Sequence, residues 1–184
     1  MTVRSASRVR KPLAGALLGF TAAVVALAHQ DYLPVGLTWN RTESLPVGLY
    51  WHTRAERPPR YGETVCFPYR APEWARVREY FPEGSLICKR VLGLPGDTLE
   101  RKADDHLFVC RPDGCHDLGR ILTEDSKGRP VRAAELPSVI PDGFVYLGIP
   151  ETPRSFDSRY LGLISMNELK RTIHPLWTMS SSSS

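Results

Sequence analysis

The hydrophobic pattern of the chain changes character near residue 29. From Pro12 to Ala28 no side chain is charged, and Leu13, Leu17, Leu18, Phe20, Val24, Val25 and Leu27 make this run of seventeen residues an apolar helix candidate. That length is the short limit for a membrane-spanning helix and slightly long for the apolar core of a signal peptide. Arg4, Arg8, Arg10 and Lys11 precede it with no acid among them, so the positive-inside rule sends everything after Ala28 out of the cytoplasm. Ala26-Leu27-Ala28 also reads as a small-x-small cleavage site. Two outcomes follow: the helix stays as an anchor, which is the preferred reading, or it is removed and the chain starts near His29. An ordinary buried core helix fits poorly beside so basic and acid-free an amino end.

Beyond His29 the apolar runs are short and turn-bounded. Gly62 to Phe67 and Ser85 to Leu92 read as strands, as do Gly143 to Ile149 and Tyr160 to Ile164. Gly93-Leu94-Pro95-Gly96-Asp97 forces a turn before Thr98 and Leu99 resume extended structure. Pro72 to Phe81 is a short helical candidate, with Trp74, Val77 and Phe81 at helical spacing. Ser165-x-x-Glu168 resembles a capping box that opens a short terminal helix. Residues 180–184 are a flexible serine tail. No internal repeat or domain linker is visible, so the division is an anchor or signal segment over 1–28, one domain over 29–179, and the tail. Many short strands and few helices predict a mainly β domain. The sixteen prolines and fourteen glycines point the same way.

Charge changes the functional picture by location. The net charge of +4 is supplied by the four basic residues ahead of the apolar run, and the rest of the chain balances to zero. That removes the electrostatic case for a nucleic-acid surface, which needs a basic surplus on one face.

Export makes disulfides permissible. Cys110 and Cys115 flank Arg-Pro-Asp-Gly, and His106 to Cys110 has strand character, so the two cysteines can face each other across a tight hairpin. A metal site from His106, Cys110, Cys115 and His116 is the competing reading, but that spacing matches no common zinc pattern. Cys66 and Cys88 lie in apolar runs as buried thiols or as a second bridge.

Alternation along Ser85 to Leu92 puts Ile87, Lys89 and Val91 on one face. A lysine between two β-branched aliphatics points to solvent from an edge strand, or it is buried and driven towards its neutral form. A neutral amine is what a serine needs in order to lose its proton. Ser44, in Thr42-Glu43-Ser44-Leu45-Pro46-Val47-Gly48-Leu49-Tyr50, reads by itself as a loop residue.

Taken together, this serine block, Lys89-Arg90-Val91 followed by Gly93-Leu94-Pro95-Gly96-Asp97, and Ser155-Phe156-Asp157-Ser158-Arg159-Tyr160-x-Gly162 resemble, in that order, the signal peptidase I family. The resemblance runs from about Trp39 to Ile164. Ser-Leu-Pro-x-Gly-x-Tyr is similar to the conjugative-transfer, TraF-like branch, whereas the housekeeping enzymes carry a methionine after the serine. Gly148-Ile149-Pro150-Glu151 stands where those enzymes have Gly-Asp-Asn-Arg.

The resemblance implies a signal-peptidase-like fold of antiparallel sheets with short helices behind an N-terminal apolar helix. It implies a serine endopeptidase with Ser44 as nucleophile and Lys89 as general base, and an oxyanion hole from the Ser44 N–H and the Thr42 hydroxyl. Ser155 matches the serine that hydrogen-bonds the lysine. Asp157 and Arg159 match a bracing pair, with Asp157 also a candidate for steering an attacking amine, and Gly96 and Asp97 match the turn after the lysine strand. No metal or organic cofactor is implied. The implied partners are an exported pilin precursor or other preprotein and, through residues 12–28, the inner membrane, with the domain at the periplasmic face and no nucleic acid. Alternatives are a general signal peptidase and a non-catalytic periplasmic assembly factor of the same fold.

Overall fold

A computed structural model describes residues 35–41 and 45–179, together with Gly15, Gly19 and Thr21, which are helical. The apolar segment over 12–28 apart from those three positions, the residues Thr42 and Ser44, and the serine tail lie outside the described residues. Among the described residues no helix is long and apolar enough to cross a membrane.

Among the described residues ten strands form two antiparallel sheets. They are β1 (Val35–Asn40), β2 (Gly48–Arg54), β3 (Thr64–Pro68), β4 (Leu86–Gly93), β5 (Thr98–Arg101), β6 (His106–Arg111), β7 (Gly114–Arg120), β8 (Phe144–Gly148), β9 (Ile164–Ser165) and β10 (Arg171–Thr178). The larger sheet runs β1-β2-β10-β3-β4-β8-β9 and the smaller β5-β6-β7. The domain is mainly β, as its pattern predicts.

Alternation decides which face of each strand is buried. Ile87, Lys89 and Val91 of β4 all point inward, and Val65, Phe67, Val145 and Leu147 join the two aliphatics in the main core. Leu99, Leu107, Val109 and Leu118 of the small sheet close on Leu92 and Tyr146 in a second core. This second core fastens the small sheet over the end of β4. Gly93 lies where the two sheets meet, and a Cβ there would lie 2.6 Å from Ile140 Cδ1. Both cysteine pairs sit in register across neighbouring strands and are bonded, Cys66 to Cys88 between β3 and β4 and Cys110 to Cys115 between β6 and β7.

Three expectations need correction. The helical candidate over Pro72 to Phe81 is a six-residue 3₁₀ helix, Glu73–Arg78, stopped by Glu79 at φ 50°. Trp74 and Phe81 find aromatic neighbours, but Val77 is 88% exposed, so the apolar spacing does not mark a buried stripe. Tyr160 to Ile164 is not one strand. Asp157 accepts from the Arg159 N–H and caps the short helix α1 (Ser158–Leu161), which ends at Gly162 with φ 81°, and only Ile164 and Ser165 pair with β8.

Ser165 does cap a turn through Asn167 N–H, yet that turn is a single 3₁₀ one, Met166–Glu168. Glu168 reaches Arg70 instead of closing the box, and the chain enters β10 rather than a terminal helix. Pro175 disguises β10 in the sequence. It is tolerated because β3 pairs only with Arg171 to Ile173, so Pro175 has no β3 partner, and a bulge follows at its side.

Leu147→Ala, in the main core, is expected to cost about 2–5 kcal/mol in urea unfolding. Val77→Ala is expected to stay within about 0.5 kcal/mol of the parent. Equal effects would contradict the assignment of these faces.

Candidate active site

The site is built on the unsupported end of β4. β3 pairs with β4 from Leu86 to Arg90, with Val65 opposite Lys89, while β8 joins the other edge only from Arg90 onward. Among the described residues, no strand pairs with the second edge of Leu86 to Lys89. That edge opens on a cavity of about 620 Å³. Thr38 to Arg41 and Leu45 form one wall, Leu122, Glu124 to Ser126 and Val131 a second, and Tyr80, Phe81, Phe156 and Tyr160 line it with aromatic rings.

Lys89 lies on this cavity and is only 4% exposed. Burial is the main influence on its amine and pushes its pKa below the ordinary 10.5. Asp157 opposes that shift and Arg159 reinforces it. The amine makes no hydrogen bond or ion pair with a described residue.

Ser155 shares the cavity, 3% exposed, and its Oγ has no hydrogen-bond partner among the described residues. The structure therefore brings Ser155 and Lys89 to one cavity without the expected hydrogen bond between them. A buried hydroxyl left unpaired is costly, and its presence marks a place for a partner.

Behind the cavity lies a buried ion pair. Arg159 Nε and Nη2 donate to the two carboxylate oxygens of Asp157, each at 2.9 Å, and both residues are essentially inaccessible. The same guanidinium donates to the carbonyls of Thr152, Pro153, Ser155 and Arg120. Asp157 also accepts from Ile149 N–H and Arg159 N–H. Beyond the two bonds that join its members, every hydrogen bond of this pair is to backbone, and the loop it holds carries Ser155. Both oxygens of Asp157 are thus engaged, and the residue is 1% exposed.

Asp97 and Gly96 do turn chemistry: Asp97 accepts from Leu94 N–H and the Tyr61 hydroxyl, and Gly96 has φ 89°.

The described residues that flank Thr42-Glu43-Ser44 in the sequence are tied to one another. Asn40 Nδ2 donates to the carbonyls of Leu45 and Pro46, at 3.0 and 3.2 Å, and the Tyr50 hydroxyl donates to Pro46 O at 2.8 Å. Gly48 passes so close to the Trp177 carbonyl that no Cβ fits. Leu45, Pro46, Gly48 and Tyr50 of the serine block thus have structural reasons to stand where they do. Arg41 and Leu45, the described residues on either side, both line the cavity of Lys89.

Sequence reasoning missed the wall from Leu122 to Val131. Asp125 is its hub, accepting from the Tyr80 hydroxyl, Arg129 Nε and the Lys127 and Arg129 N–H groups. Asp125-Ser126-Lys127-Gly128 carries a turn signal, but nothing in it indicates proximity to Lys89. His106 and His116 pair with Asp117 and Asp113, and the disulfide consumes both cysteines of the alternative metal set. Among the described residues no cluster of three or more potential metal ligands occurs.

The profile of the family described as signal peptidase, peptidase S26, matches residues 11–177, and the chain belongs to that family. Its members are serine endopeptidases acting on exported precursors, so the chain is a hydrolase of that kind. No curated protein matches the sequence. Twelve chains of solved structures do. One is a signal peptidase I from Enterococcus faecalis V583, 22% identical over 62% of this chain and 96% of that one, with a TM-score of 0.37.

Burial of Lys89 has a thermodynamic consequence. Between its folded pKa and 10.5 the unfolded chain holds a proton that the folded one lacks, so stability rises with pH across that window. Lys89→Met is therefore expected to raise the urea midpoint at pH 7, with the advantage shrinking as pH approaches 10.5. A variant less stable than the parent at pH 7 would show that the amine is not desolvated.

Proposed function

We propose that this chain is a serine–lysine endopeptidase of conjugative transfer that faces the periplasm and processes an exported pilin precursor. The observation that carries the reading is that the buried Lys89 and the unpaired Ser155 hydroxyl line one cavity, bounded by the residues on either side of Thr42-Glu43-Ser44. Residues 12–28 would hold the domain at the inner membrane.

In this mechanism neutral Lys89 takes the Ser44 hydroxyl proton as the oxygen attacks the scissile carbonyl. The oxyanion that forms is met by the Ser44 N–H and the Thr42 hydroxyl. Lys89, now an ammonium, gives its proton to the leaving amine, and the acyl group stays esterified to Ser44. Ser155 Oγ is the acceptor that the ammonium finds inside the protein, which explains why a buried hydroxyl waits without a partner. Water, deprotonated by Lys89, then hydrolyses the ester. The open edge of Leu86 to Lys89 suits an extended substrate, whose backbone can add to it as a further strand. The aromatic and aliphatic walls suit apolar side chains rather than charged ones. Asp157 is committed to Arg159, so resolution by water is expected over resolution by a steered amine.

The test is incubation of the purified protein with a pilin precursor, read by intact mass. Two fragments that sum to the precursor plus one water are expected. Ser44→Ala and Lys89→Ala should each abolish cleavage, and because the two groups act as a unit the double variant should be scarcely worse than either. Lys89→Arg should be equally inactive, since a guanidinium cannot serve as a base near neutral pH. Substantial cleavage by Ser44→Ala would sink the mechanism. Cleavage of general preproteins but not of pilin would transfer the reading to a general signal peptidase.

A further inference from the structure

The catalytic reading uses Lys89 and Ser44 but leaves unexplained what fixes one against the other. They belong to different hairpins. Lys89 is on the single-sided end of β4, and Ser44 lies between β1 and β2, two strands that reach β4 only through β10 and β3. Hydrogen bonds along three strand boundaries, β2–β10, β10–β3 and β3–β4, would have to hold that separation, and the β10–β3 boundary is short, with three residue pairs.

A more direct link exists. Cys88 immediately precedes Lys89 and is bonded to Cys66, its register partner on β3. Cys66 belongs to a small buried cluster with Tyr50 and Ile173, and the two half-buried residues that pack on this cluster are Leu45 and Cys88. Leu45 immediately follows Ser44. One residue separates the cluster from each of the two reacting side chains. Among the described residues the cluster is also the smallest of three cores, with little apolar area to hold its own geometry. The covalent bond ties the β3 member of this cluster to β4 beside Lys89.

We propose that the Cys66–Cys88 disulfide is the positioning element of the dyad, holding the Leu45 segment and the Lys89 strand at reacting distance, and that opening it with a dithiol switches cleavage off without unfolding the domain. This rests on the serine–lysine reading. Cys88 lines the cavity whereas Cys66 is buried, so a small dithiol reaches Cys88 first. Its thiolate attacks Cys88 Sγ, the S–S bond breaks, and Cys66 leaves as a thiolate that takes up a proton. The reagent's second thiol then displaces Cys88 as a thiol, and the reagent departs as its own disulfide. Two electrons and two protons pass from the dithiol to the pair. Air or an oxidised dithiol reverses the step. A misplacement of about 1 Å in an acyl-transfer site can cost on the order of a hundredfold in rate.

The experiment uses the full chain carrying Cys110→Ser and Cys115→Ser, so that Cys66–Cys88 is the only bridge among its cysteines. It is treated with dithiothreitol, with thiol alkylation confirming that the pair has opened. Cleavage of the pilin precursor is measured with hydrogen–deuterium exchange and the near-ultraviolet spectrum on the same samples. On reduction kcat is expected to fall about a hundredfold per folded molecule, with KM within about twofold. Exchange should quicken in peptides covering Leu45 to Tyr50 and Leu86 to Lys89 but not in β6 and β7, and reoxidation should restore both. Cys66→Val with Cys88→Val, which keeps strand-forming side chains, should reproduce the reduced behaviour and no longer respond to dithiothreitol.

Unchanged kcat in the reduced protein or in the folded valine pair would overturn the proposal. So would exchange that rises everywhere, or loss of the folded spectrum in both forms, since the bridge would then be a general stabiliser. If the oxidised protein cleaves nothing, the peptidase reading fails separately. The exchange data alone then decide whether the bridge couples the two segments.

Discussion

An amine held in an apolar sheet is the constraint on which the rest of this structure turns. Lys89 occupies an inward position of β4 between Ile87 and Val91, where alternation would ordinarily place a third aliphatic residue. Water is largely excluded there, and the ammonium loses more from that exclusion than the neutral amine does. Folding is thereby made less favourable at neutral pH, a cost that apolar burial in the two neighbouring cores has to offset.

The neighbouring charges are arranged so that burial can dominate. Asp157 would by itself hold the amine protonated, but Arg159 meets it with two parallel hydrogen bonds and acts on Lys89 in the opposite direction. The remaining donors of that guanidinium hold four carbonyls, three of them in the loop from Thr152 to Ser155. One buried ion pair therefore shapes the wall that carries Ser155 and acts on the amine in two opposed directions. Such a pair is a poor source of net stability, and its value here is geometric.

The legible part of this architecture was the part carried by local chemistry. Alternation around Lys89 marks its face, Gly93 to Asp97 marks its turn, and the motif blocks name Lys89 and Ser155, which line one cavity, and Asp157 and Arg159, which pair with each other. What escaped depends on partners distant in sequence. β10 contains Pro175 and looks broken until its incomplete pairing with β3 is known. Tyr160 looks like a strand residue until the Asp157 cap is seen to start a helix. Val77 has helical spacing on a turn too short to bury it. The wall around Asp125 is assembled by Tyr80, 45 residues earlier in the chain, and no local signal reports that contact. Cys66 and Cys88 could be read equally well as thiols or as a bridge, because only strand register sets them opposite each other.

The state of the Lys89 amine can be measured without any substrate. In protein labelled with ¹³C-lysine, the ε-carbon resonance of Lys89, assigned by its loss in Lys89→Arg, reports ionisation directly as pH is raised. A midpoint below 10.5 is expected from burial. A midpoint at or above 10.5 would mean that the amine is solvated or ion-paired, and it would contradict the assignment of Lys89 as the base.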